Sequence, residues 1–198
     1  FMNVMDVMKS ACAPEIVFLP ELSLNRACDT EKIYSLVEEI LSYGWFASID
    51  ICCDELSQPV RAFQKIYRLA ENAGVRLKAH VGEFGTADDV LEACELLHLQ
   101  EVHHGIAAAK SKQAMKWLAG HAIRLNVCPA SNVMLGLTGG YDTHPIRILY
   151  DNGVAVTINT DDLLIFNQSV SQEYLNLFQS GLMTAQELDK IRITGLTL

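Results

Sequence analysis

Ala79-His80-Val81-Gly82-Glu83 places a carboxylate three residues after an imidazole, with a glycine between them that permits a tight turn. Neutral imidazole is a preferred zinc ligand, and a buried carboxyl close to it can give or take a proton. A strand-end histidine that only hydrogen-bonds its neighbours fits the same segment. Val102-His103-His104-Gly105 follows with two adjacent histidines. Side chains alternate along a strand, so one of the pair is expected to face inward and the other outward. Asn159-Thr160-Asp161-Asp162 puts two carboxylates side by side after the β-branched run Val156-Thr157-Ile158. Adjacent aspartates repel unless a cation or a donor lies close. A helix cap would explain one of them, and hardly both with Leu163-Leu164-Ile165 next. Cys128-Pro129-Ala130-Ser131-Asn132 reads as a turn with polar side chains, and His144-Pro145 opens a helix with proline at a permitted first position.

Short apolar runs must carry these groups. They are Ile16–Leu24, Phe46–Cys53, Val75–His80, Glu101–Gly105, Ala122–Cys128 and Val154–Thr160. Amphipathic stretches separate them: Asp29 to Gly44, Val60 to Glu71, Thr86 to Leu97, Ser111 to Gly120 and Pro145 to Gly153. Ser171 to Gly181 and Thr184 to Ile193 follow the last run. About 30 residues per repeat is the length of a βα unit, so the pattern predicts six units in succession. Strands read as apolar on both sides and alternating with helices mean a parallel sheet covered by helices. No Gly-x-Gly-x-x-Gly follows a strand and no phosphate-binding Gly-Lys-Ser/Thr occurs. Polar residues crowd the C-terminal ends of the strands instead, where a (β/α) barrel concentrates its chemistry. The expected fold is therefore α/β, a TIM-type barrel with about six of eight βα units, residues 1–198 forming one partial domain.

The chain has 198 residues, 15 Lys and Arg against 24 Asp and Glu, and a formal charge of −9. Half of it is hydrophobic, which excludes a disordered chain, and the acidic balance argues against nucleic-acid binding. Its apolar runs are far shorter than a bilayer span, and no leader is read at its start, so no membrane contact is expected. None of the six cysteines forms a Cys-x-x-Cys pair. Reduced thiols and a cytoplasmic location are the expectation.

Taken in order, His-x-Gly-Glu, His-Gly, Cys-Pro-x-Ser-Asn, His-Pro and Asn-Thr-Asp-Asp resemble the adenosine deaminase family, from about Ile16 to about Ile193. The resemblance implies a zinc-dependent barrel of the amidohydrolase type that hydrolyses the 6-amino group of adenosine or deoxyadenosine to give inosine and ammonia. It implies zinc ligation by His80 and Asp161, protonation of purine N1 by Glu83, and orientation and deprotonation of the attacking water by His104. Asp162 corresponds to the carboxyl that bonds N7, and Gly82 and Cys53 fall beside the base. A deaminase of adenine, a methylated adenine or an adenine nucleotide is the alternative within this chemistry. A non-catalytic remnant that binds nucleosides or protein is the alternative outside it.

The chain departs from the family pattern in three places. The opening His-x-His pair, which supplies two further zinc ligands, has no counterpart, since all six histidines lie at or beyond His80. That agrees with six units rather than eight and predicts self-association through the open edges. Cys53 stands where the family usually has glycine, and His103 replaces the first glycine of Gly-His-Gly.

Overall fold

The structure, a computed structural model, describes residues 2–12 and 16–196. After α1 (Met2–Ala11), strand and helix alternate: β1 (Glu21–Asn25), α2 (Thr30–Ser42), β2 (Ser48–Cys52), a 3-10 turn (Val60–Phe63) running into α3 (Gln64–Asn72), β3 (Arg76–Val81) and α4 (Ala87–Leu97). Then come β4 (Glu101–His104), a second 3-10 turn (Ile106–Lys110), α5 (Lys112–Gly120), β5 (Arg124–Val127), α6 (Pro129–Met134) and a third 3-10 turn (Tyr141–Thr143). The remainder is α7 (Ile146–Asp151), β6 (Ala155–Ile158), α8 (Leu163–Phe166), α9 (Val170–Gln179) and α10 (Ala185–Leu196).

The six strands form one parallel sheet in the order β1-β2-β3-β4-β5-β6. An open doubly wound sheet reverses its strand order at a switch point, whereas a (β/α) barrel adds each strand beside the last. The sequential order is that of a barrel, with six of its units in place. β1 and β6 end the sheet, and α10 comes against β6 close enough that a Cβ on Gly195 would touch Thr157 Cγ2 at 3.7 Å.

Local chemistry sets the helix starts. Asp29 Oδ1 accepts the Lys32 N–H at 3.3 Å, and Thr86 and Asp89 form a reciprocal capping box that opens α4. Ile49, Ile51, Leu77, Val81, Leu118 and Leu125 are buried between sheet and helices. Truncating one such leucine to alanine costs about 2–5 kcal/mol.

Several expectations need correction. The strands are shorter than the runs, and β1 starts only at Glu21, leaving Ile16, Val17 and Leu19 exposed. The strands are not apolar on both sides. In β3, Leu77, Ala79 and Val81 are buried, while Lys78 and His80 face a cavity of about 980 Å³. The other strands contribute Glu21, Asp50, Glu101, Asn126 and Thr157 to the same cavity. The Cys-Pro segment is a short helix, α6, rather than a turn, because proline at its first position costs no hydrogen bond. Among the described residues, no helix is long and apolar enough to cross a membrane.

Candidate active site

The C-terminal ends of the strands turn their side chains into place with left-handed residues. Cys53, Gly82, His104 and Asp161 have φ of 74°, 73°, 65° and 59°. Non-glycine residues rarely adopt this region, and such strain gathers at functional sites. At Gly82 glycine is obligatory, since a Cβ there would meet Val90 Cγ2 at 2.3 Å. At His104 the turn breaks strand alternation. His103 and His104 both line the cavity, so the expectation that one faces outward is wrong. The His80 ring centroid lies 4.6 Å from that of His103 and 5.4 Å from that of His104.

His104 stands between two carboxyl groups, with Nδ1 3.5 Å from Glu83 Oε1 and Nε2 3.9 Å from Asp161 Oδ2. Burial, then the charge of Asp161, pushes the Glu83 carboxyl up to about 7, and Glu55 adds to the rise. Glu83 Oε1 is buried without a hydrogen-bond partner. Burial, with repulsion from His80 and His103, brings His104 down to about 4 and keeps its ring neutral. His80 Nδ1 pairs with Asp50 Oδ2 at 2.8 Å. Burial alone would lower the His80 pKa, but the Asp50 bond and charge raise it overall.

A second chain of contacts reaches His104 from α7. His144 Nδ1 accepts the Ile146 N–H at 3.1 Å, so the proton of this neutral ring sits on Nε2, 3.3 Å from Asn132 Oδ1. Asn132 Nδ2 then presents its proton to His104 Nδ1 at 3.5 Å. His104 accepts there and carries its own proton on Nε2, toward Asp161. Burial holds His144 near 4, which keeps it neutral.

Of the residues expected to act, His80, Glu83, His104 and Asp161 come together. Asp162 does not join them: its Oδ1 accepts the Leu164 and Ile165 N–H groups at 3.0 and 3.2 Å and caps α8. A helix cap does explain this aspartate, even ahead of an apolar run. Cys53 is exposed, and neither it nor Gly82 lines the cavity; Cys52 does. Three acidic residues went unread as site residues. Asp50 is 1 % exposed and orients His80. Glu55 accepts the backbone N–H groups of Gly82, Glu83, Phe84 and Gly85 at 2.5 to 3.2 Å. Glu173 of α9, fully buried, accepts the Ala130 N–H at 3.1 Å. No local spacing signals any of them, because their partners lie 27 to 43 residues away.

The donors suit a zinc ion in kind, being imidazole and carboxylate with an outer carboxylate on a ligand histidine. They fall into two groups whose ligand atoms lie within 4.8 Å of one another: Asp50, His80 and His103, and His104, Cys128 and Asp161. Burial, with the charges of Asp161 and Glu173, raises the Cys128 thiol far above its ordinary pKa, and a protonated thiol is a poor ligand.

Comparison with known proteins agrees with this geometry. The family description "Adenosine deaminase" matches residues 11–197. A Treponema pallidum protein named as an adenosine/adenine deaminase is 37% identical over 164 residues, covering 83% of this chain and 55% of its own. The crystal structure of an adenine deaminase from Arthrobacter aurescens superposes with a TM-score of 0.87 at 24% identity, over 98% of this chain and 59% of that one. An amidohydrolase from Burkholderia ambifaria, solved with bound Zn, gives a TM-score of 0.78 at 28% identity, over 89% and 50% of the two chains. The chain thus spans about half the length of the curated relatives it matches. By its motifs, strand order and nearly full-length match, the chain belongs to the adenosine deaminase family.

Proposed function

We propose that the protein hydrolyses the 6-amino group of a purine and releases ammonia, with adenosine or deoxyadenosine as the substrate that gives inosine. The carrying observation is the Glu83 carboxyl, its Oε1 buried without a hydrogen-bond partner 3.5 Å from His104 Nδ1, where burial pushes it up to about 7. A carboxyl that keeps its proton near neutrality can give it to N1 as water adds at C6, which relieves the electron demand of the ring. His104, with its proton on Nε2, would orient the attacking oxygen. The Asn132 contact supports this orienting role better than the deprotonating role implied by the family. Asp162 keeps Oδ2 for purine N7 while Oδ1 caps α8.

His80 and Asp161 would hold a zinc ion, which when bound brings the pKa of water to about 7. A full set needs more protein ligands than these two, so activity is proposed for the barrel closed by its two remaining strands. Without them, the open edge of β1 favours self-association, which sedimentation would detect. Adenine stands as the alternative substrate, because the Treponema relative is named for both.

The test is ultraviolet absorbance of adenosine and of adenine with added zinc. It would use the 198-residue chain and a chain extended upstream by two strands. Conversion by either chain supports deamination, and the preferred compound decides between nucleoside and base. Silence of both chains on both compounds overturns it.

A further inference from the structure

Cys52 and Cys53 are adjacent at the end of β2, and no step of the proposed reaction uses either thiol. Neighbouring side chains of a strand point to opposite faces, which would hold the two thiols apart. Cys53 breaks that rule as His104 does: its φ of 74° is left-handed, and its Sγ comes 3.4 Å from Cys52 Sγ. Cys52 is half-buried and lines the cavity, whereas Cys53 is exposed, so the pair stands at the cavity's edge within reach of solvent. The turn that follows is held by its own bonds. Asp54 Oδ1 accepts the Leu56 N–H at 3.1 Å, and the Asp54 carbonyl accepts the Ser57 N–H at 3.1 Å.

We propose that Cys52 and Cys53 form a dithiol site that chelates a trivalent arsenical, both sulfurs bonding one arsenic atom. Three chemistries are open to a pair of close thiols, and the geometry separates them. A disulfide asks for Cα atoms about 4.4 Å apart or more, and neighbours across a trans peptide stand about 3.8 Å apart, so a bond between these sulfurs would be strained. A zinc ion holds thiolates at about 2.3 Å in a tetrahedron, which sets its sulfurs about 3.8 Å apart, and it takes four ligands. Neither cysteine belongs to the groups of three or more ligand atoms that lie within 4.8 Å of one another among the described residues. Trivalent arsenic is pyramidal, with angles nearer a right angle, and at a similar bond length of about 2.3 Å it places two sulfurs about 3.3 Å apart. Its third position is filled by its own substituent, so two thiols complete it. The observed 3.4 Å fits this bridge with little movement, and the pre-set turn spares the cost of ordering the pair.

The bond-making step balances without an oxidant. An arsenoxide, R–As=O, takes two S–H groups. Two As–S bonds form, both hydrogens leave on the arsenic-bound oxygen as one water, and arsenic and sulfur keep their oxidation states. The Cys52 S–H, which donates to the Leu24 carbonyl at 3.6 Å, gives up that weak bond.

The inference does not rest on deamination, and its test needs no turnover. Phenylarsine oxide is added in equal amount to the 198-residue chain, and native mass spectrometry counts the adducts. A single phenylarsenic per chain is expected, stable to an excess of the monothiol mercaptoethanol and removed by the dithiol dimercaptopropanol. Cys52→Ser and Cys53→Ser should each weaken binding by about 10²–10⁴-fold, the gain from joining two contacts. Cys12→Ser and Cys28→Ser should match the parent. Cys53 is exposed, so Cys53→Ser keeps the test decisive if Cys52→Ser fails to fold. No adduct on the parent chain, an adduct released by the monothiol, persistence in Cys53→Ser, or loss in Cys12→Ser or Cys28→Ser would each overturn the site. Absence of deamination in a chain that forms the adduct would count against the proposed function and not against this one.

Discussion

Glu55 Oε2 accepts the backbone N–H of Glu83 at 3.1 Å, so one buried acid fixes the main chain of another. The same carboxylate takes the N–H groups of Gly82, Phe84 and Gly85, and the turn after β3 closes around it. Four donors satisfy its charge in a place from which water is largely excluded. The charge in turn adds to the forces that keep Glu83 protonated.

Glu55→Gln replaces one acceptor oxygen with an amide that confronts N–H groups. We expect a loss of about 2–3 kcal/mol in stability, the scale of hydrogen bonds to a charged group. Hydrogen exchange at residues 82–85 should quicken more than exchange in α4. Uniform quickening across the chain would mean that Glu55 holds nothing in particular.

Glu83→Gln should remove the acid without removing a metal ligand. Turnover should fall about 10²–10⁴-fold, the usual contribution of a positioned acid or base. Zinc content should stay as in the parent chain, and Asp161→Ala should reduce turnover by a different route. Equal metal loss in both variants would contradict the assignment.

The sequence made the succession of βα units legible because each unit repeats the same alternation over about 30 residues. The strand-end chemistry of His80, Glu83 and Asp161 was legible for the same reason, since it sits where each run stops. Backbone handedness was not. His104 at φ 65° breaks the alternation from which His103 was expected to point away, and no residue type announces a left-handed histidine. Which of Asp161 and Asp162 caps a helix was not legible either, because a capping aspartate looks the same whether the following helix is long or, like α8, four residues. Asp50, Glu55 and Glu173 have partners only after the strands assemble, so nothing near them in sequence shows their roles.

Glu173 supplies a pH-dependent prediction. Burial raises its carboxyl from 4.5 to about 7, against the lowering effect of the Ala130 N–H, with the charge of Asp161 adding to the rise. Between those values the folded chain binds more protons than the unfolded one, so this group makes stability fall as pH rises. Glu173→Gln keeps an acceptor for Ala130 and cannot ionise. Its stability relative to the parent should improve from about pH 4.5 upward and level off above about 7, gaining at most about 3 kcal/mol. Paired urea denaturation at pH 4.5 and pH 8 measures this, and a constant difference would show that Glu173 is not protonated in the fold.

The contacts from α7 to His104 predict a tautomer. Ile146 N–H occupies His144 Nδ1, His144 Nε2 faces Asn132 Oδ1, and Asn132 Nδ2 faces His104 Nδ1. Each contact leaves only one role for the next nitrogen. His104 must therefore be the Nε2–H form, neutral down to about pH 4. Its ¹⁵N shifts should show Nδ1 as an acceptor from pH 8 to pH 5. Asn132→Ala removes the donor, leaves both rings short of a partner and should cost about 1–3 kcal/mol. With the donor gone, His104 is free to move its proton to Nδ1 and donate to Glu83, 3.5 Å away. A mixture of tautomers in Asn132→Ala, against one form in the parent, is the expected result. An Nδ1–H His104 in the parent would break the chain at its last link and return His104 to the role of a base.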